Sequence, residues 1–117
     1  MSKHTVNVQI EVDQKFIPSQ EGRSKVEVHT IVGGETVSTV RIYESGSGQA
    51  EYFVSAVLRS DHYAVERALK GDLRFRSVEF DSEMGEFVAY VSGWTAATAL
   101  AEEVGLTDVR LRAAVLS

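Results

Sequence analysis

Glu51-Tyr52-Phe53-Val54-Ser55-Ala56-Val57-Leu58 can be read in two ways, and the choice decides the fold. The aromatic and β-branched content of the stretch suits a buried strand. Yet Ala50, Phe53, Val54, Val57 and Leu58 fall at helical spacing, and Val65, Ala68 and Leu69 carry that spacing on to Gly71, a natural helix stop. A pattern that long exceeds the usual strand, so it predicts helix over 50–69. Ser60-Asp61 can cap a second helix at a bend within it.

Working outward, Lys25 to Val32 and Thr36 to Glu44 are β-branched runs around Gly33-Gly34-Glu35, which predicts a hairpin. Before them, Val6, Val8, Ile10 and Val12 alternate with Asn7, Gln9 and Glu11, the pattern of a half-buried strand. Residues 13–24 hold the only proline, Pro18, with Gly22 and mixed charges, and read as a mobile loop. On the C-terminal side, Leu73 to Phe80 and Glu86 to Val91 flank a second turn, with a change of phase near Ser77 that suggests a bulge. Trp94 to Val104 reads as a short helix stopped by Gly105. Val109, Leu111, Ala113 and Val115 then alternate with Arg110, Arg112 and Ala114, as in a closing strand.

From Val37 onward this order is β-α-β-β-α-β. It predicts an α+β, ferredoxin-like sandwich: one antiparallel sheet, two helices on one face, and an extra N-terminal strand pair. The 117 residues suit a single domain with its own core.

Composition narrows the function classes. Cysteine is absent, which excludes disulfides, thiolate zinc sites and a cysteine nucleophile, and makes a reducing cytoplasm the expected location. Met1 to Thr5 shows no apolar core of an export signal, and the charge-free run Phe87 to Ala101 is too short to span a bilayer. A net charge of −5 argues against nonspecific binding to nucleic acid or anionic membrane. His4, His29 and His62 lie too far apart to form a recognisable metal motif, and no Gly-x-Ser-x-Gly elbow is present. No catalytic residue, metal or cofactor is assigned, and a non-enzymatic role is expected.

Three local patterns invite a sharper reading. Ser45, Gly46, Ser47 and Gly48 stand between a strand and an expected helix start, where backbone N–H groups can hold a phosphate. The spot resembles the pyrophosphate loop of the acyl-CoA-dependent N-acetyltransferase family, whose pattern is Gln/Arg-x-x-Gly-x-Gly/Ala before a helix. Gly46 and Gly48 match, while Tyr43 takes the Gln/Arg position and Ala101 falls where that family carries its tyrosine acid. The resemblance implies a small acetyltransferase, although a flexible β-to-α turn explains the same residues.

Residues 98–116 resemble a helix-turn-helix motif, with Ala101, Gly105, Leu106 and Leu111 at its small, turn and core positions. That resemblance implies a DNA-binding regulator in which Thr107, Arg110 and Arg112 lie on a recognition helix, against the strand reading of the same segment. The acidic residues Glu79, Asp81, Glu83 and Glu86 surround the second turn. With Asp13 and Glu51 they form the scattered set a magnesium nuclease would need, but a solvated hairpin tip is the simpler reading.

The main functional expectation comes from the second hairpin. Phe87, Ala89 and Val91 make one of its sides apolar, and Val88 and Tyr90 make the other apolar as well. A sheet apolar on both sides needs cover on both sides, and two helices cover one. The side holding Val88 and Tyr90, flanked by Arg74 and Arg76, is expected to contact a second copy or a protein partner. Self-association, most simply as a dimer, is the leading expectation.

Overall fold

The computed structural model describes residues 10–17, 25–44, 51–75 and 77–116. It is an α+β fold with one antiparallel sheet and two helices. The elements in chain order are β1 (Ile10–Ile17), β2 (Lys25–Val32), β3 (Glu35–Glu44), β4 (Glu51–Ala56), α1 (His62–Lys70), β5 (Val78–Asp81), β6 (Glu86–Ser92) and α2 (Trp94–Leu116). The strands form one six-stranded sheet in the order β1-β2-β3-β4-β6-β5. The first four make a meander, and the β5–β6 hairpin docks with its second strand against β4.

The Gly33-Gly34 turn forms as expected. Both residues have positive φ, 61° and 85°, which suits the tight primed turns that match strand twist. The second turn is held by Asp81, whose Oδ1 accepts from Glu83 N at 3.0 Å and Met84 N at 3.2 Å. β1 begins within the expected N-terminal strand and continues to Ile17, into the residues read as a loop. The earlier part of that strand, from Thr5, and the rest of the loop lie outside the described residues.

Two elements differ from expectation, and together they replace the ferredoxin-like order. The stretch 51–56 is a strand in mid-sheet, between β3 and β6. Tyr52, Val54 and Ala56 turn toward the core, while Glu51, Phe53 and Ser55 occupy the other face. Apolar residues on both faces of a central strand mimic a helical stripe, because every spacing then finds an apolar partner. The true helix starts at the cap noted above. Asp61 accepts from Tyr63 N at 2.9 Å, and α1 ends at Gly71.

The second difference is at the C-terminus, where α2 runs unbroken from Trp94 to Leu116 through Gly105. The expected closing strand is helix. Ala97, Leu100, Ala101, Val104, Asp108 and Leu111 form its inward stripe, continuous at helical spacing once a buried Asp is accepted in a core slot. Gly105 is an internal contact: a Cβ there would overlap Thr30 Oγ1 on β2. Leu73, Arg74, Phe75 and Ser77 are not strand either, and the expected change of phase at Ser77 is a residue with φ of 55° just before β5 begins.

Both helices pack on one face of the sheet. Val65 and Leu69 of α1 join Leu100 and Val104 of α2 over Val40, Ile42, Val54, Phe87 and Ala89. Asp108, 1% exposed, ties this layer together. Its Oδ1 accepts from Ser60 N at 2.8 Å, and Arg112 lies 3.3 Å from its Oδ2 while donating to Val37 O at 3.1 Å.

Candidate functional site

The opposite face of the sheet is the candidate site. Among the described residues no element lies over it. Strand register builds it in rows. Tyr43 on β3 pairs with Phe53 on β4, and Phe53 pairs with Tyr90 on β6. Because paired residues on adjacent strands share a face, the three rings form a continuous row. Tyr43 and Phe53 are stacked, with centroids 4.8 Å apart and planes 19° apart. Phe53 and Tyr90 are 5.9 Å apart and tilted by 42°. Tyr90 is half-exposed.

The neighbouring row runs Lys15, Glu27, Arg41, Ser55, Val88 and Glu79, with charged residues at both ends. Arg41 Nε donates to Glu27 Oε2 at 3.1 Å, and His29 Nε2 lies 3.1 Å from Glu27 Oε1. Burial raises the Glu27 carboxyl pKa, but the hydrogen bonds and charges of Arg41 and His29 outweigh it and hold the group below its ordinary value. Glu86 accepts from Ser55 Oγ at 3.3 Å.

The aromatic row ends at a cleft. Pairing of β5 with β6 stops at Val78 opposite Ala89, so Tyr90 to Ser92 extend beyond it. Ser77, in the left-handed region, is where the incoming chain turns into β5. The resulting cleft holds about 370 Å³ and is lined by Glu51, Arg74, Ser77, Tyr90 and Ser92. Arg74 is fixed by Asp72: its Nη2 donates to Oδ2 at 2.6 Å and its Nε to Oδ1 at 3.0 Å. That pairing holds the Asp72 carboxyl below its ordinary range. An adjoining groove of about 550 Å³ runs past Arg74, Phe75 and Trp94 at the start of α2.

The structure therefore brings together Val88, Tyr90 and Arg74 of the expected contact residues, on the open face and at its rim. Arg76 lies outside the described residues, as do Ser45, Gly46, Ser47 and Gly48. The segment holding those glycines joins two paired strands, β3 and β4, so the helix start expected after it is absent. Thr107 is buried in α2, Arg110 lies 3.7 Å from Glu103, and Arg112 is engaged with Asp108 and Val37. The helix-turn-helix resemblance needed a turn near Gly105, where the chain is helical.

Glu79, Asp81, Glu83 and Glu86 cluster at the β5–β6 hairpin, and among the described residues no group of three or more acids or histidines could hold a metal. Also among the described residues, no helix is long and apolar enough to cross a membrane. Tyr43 and Phe53 were not singled out as site residues. Their signal was the alternation within 51–56, which becomes visible only when that stretch is read as strand. Comparisons of the chain with protein-family models, curated proteins and solved structures find no match.

Proposed function

We propose that this chain is a non-enzymatic interaction protein and that the uncovered sheet face is where it meets another protein chain. The observation that supports this most is the row Tyr43–Phe53–Tyr90, aligned across three adjacent strands on a face that no described element covers. Rings held by their neighbours lose little side-chain freedom on binding, and aromatic residues are the commonest energetic anchors of protein contacts. Val88 extends the apolar patch, and the charged Glu27–Arg41 pair borders it, giving an apolar centre with a polar rim.

A second copy of the chain is the first occupant to test. Light-scattering mass is measured for the wild type and for Tyr90→Asp, a change at a half-exposed position. A dimer that becomes monomer in the variant supports self-association through this face. A dimer of unchanged mass in Tyr90→Asp contradicts it. A wild-type monomer also contradicts it.

A further inference from the structure

The two edges of the sheet are guarded unequally. β5, at one edge, has four residues and places Glu79 and Asp81 on one side of the sheet. A short, charged strand is a poor template for a further strand. β1, at the other edge, has eight residues, holds no proline and pairs with β2 along its whole length in one unbroken register. Among the described residues no strand lies against its outer side. Every second residue of such an edge presents its backbone N–H and C=O groups outward, where another strand can pair with them.

The residues of β1 select which strand that is. A second copy related by a two-fold axis pairs β1 antiparallel with itself, and each residue then faces one on the same side of the sheet. Charge decides the register. Centring the pair on Val12 sets Glu11 against the partner's Asp13, and centring it on Asp13 or on Lys15 sets that residue against its own copy. Centring on Gln14 sets Asp13 across from the partner's Lys15, twice over by symmetry. The same register sets Val12 across from the partner's Phe16, again twice, and Gln14 across from the partner's Gln14. Asp13 and Lys15 pair within the chain with His29 and Glu27, whereas Val12 and Phe16 pair with the buried Thr30 and Val26. Opposite charges therefore meet on one side of the sheet and apolar residues on the other. β5 offers no such match, because its fullest two-fold pairings set Glu79 against Glu79 or against Asp81.

We infer that the chain forms a two-fold dimer by antiparallel pairing of β1 with its own copy about Gln14, joining the two sheets edge to edge. The pairing lies in the plane of the sheet and leaves the row Tyr43–Phe53–Tyr90 uncovered. It goes beyond the open-face reading, and either can fail without the other.

The test is light-scattering mass of the full chain with the β1 charges exchanged. The wild type is expected to be a dimer. Lys15→Asp and Asp13→Lys each turn both cross-axis pairs from attraction to repulsion, and each should raise the dissociation constant by about tenfold or more. Asp13→Lys combined with Lys15→Asp reverses the pairs at unchanged net charge and should restore the dimer. Tyr90→Asp should remain at least a dimer. Because the chain has no cysteine, a single introduced one reports the axis. Gln14→Cys should form a disulfide with its own copy under mild oxidation, since directly opposed strand positions bring Cβ atoms within bonding reach. Glu11→Cys, across from the partner's Ile17, should not. A wild-type monomer overturns the pairing. So does a double variant as dissociated as the single ones while folded by circular dichroism, or equal crosslinking from positions 14 and 11. A dimer lost in Tyr90→Asp and unmoved by the charge variants also overturns it, and places the second copy on the open face.

Discussion

Gly105 of α2 sits on Thr30 of β2 so closely that a side-chain carbon at position 105 would overlap Thr30 Oγ1. Thr30 is fully buried, and its hydroxyl has no hydrogen-bond partner among the described residues. The contact sets the distance between helix and sheet, and it explains why a residue that weakens helices stands in the middle of a long one.

The first prediction follows from that contact. Gly105→Ala gains about 1 kcal/mol of helix propensity. Overpacking against a sheet costs about 1–3 kcal/mol, so a net loss near 1 kcal/mol is expected, about 4 °C in Tm for a chain of this size. Adding Thr30→Ala should restore most of the loss. Thermal melts of the single and double variants decide it, and a Gly105→Ala protein as stable as the wild type contradicts the close approach.

A second prediction separates two arginines that sequence alone treats alike. Arg110 faces Glu103 across 3.7 Å with its side chain 62% exposed, a geometry worth under about 0.5 kcal/mol. Arg112 neutralises Asp108, whose side chain is 1% exposed. Removing one partner of a buried pair costs about 3–5 kcal/mol, and because Arg112 is itself a quarter exposed the lower end of that range is expected. Urea denaturation should therefore show Arg112→Ala to be far less stable than Arg110→Ala. Equal midpoints would contradict the clamp.

These two elements show what the sequence disclosed and what it hid. The Gly33-Gly34 turn, the Asp61 cap and the two-sided apolar hairpin at 86–91 were legible, because each depends on local chemistry: positive φ, a cap carboxylate, period-two alternation. The long final helix was hidden by Gly105 and Asp108, a breaker and a charge in core positions. Both are tolerated only because of distant partners, Thr30 for one and Ser60 with Arg112 for the other. Strand β4 was hidden because Phe53, on its open face, falls at helical spacing with Val54, Val57 and Leu58 and so masks the alternation. Misreading it removed Phe53 from view, and with it the link between Tyr43 and Tyr90. That Tyr90 and Val88 share one side of their strand was legible from the hairpin alone.

The third prediction concerns acid. The folded Glu27 carboxyl lies below its ordinary value of 4.5: burial raises it, and Arg41 and His29 lower it by more. A group depressed in the folded state stabilises fully above its unfolded pKa and loses that contribution as pH falls through the folded value. Arg41→Met removes the main lowering contact. The stability gap between wild type and Arg41→Met should be widest above about pH 5 and close toward about pH 3, as the carboxylate is protonated in both states. A gap independent of pH across that window would contradict the Glu27 assignment.

The central claim, that the open sheet face is a protein-contact surface, is tested most directly by photo-crosslinking from inside it. A photoreactive benzoylphenylalanine replaces Val88 on the open face or, as control, Tyr63, which is 51% exposed on α1. Both proteins are irradiated in the cells that produce the chain naturally, and the adducts are identified by mass spectrometry. The account predicts a defined adduct from position 88 that disappears when Tyr90→Asp is added, and none of comparable yield from position 63. Equal adducts from the two positions, or an adduct at 88 indifferent to Tyr90→Asp, would contradict it.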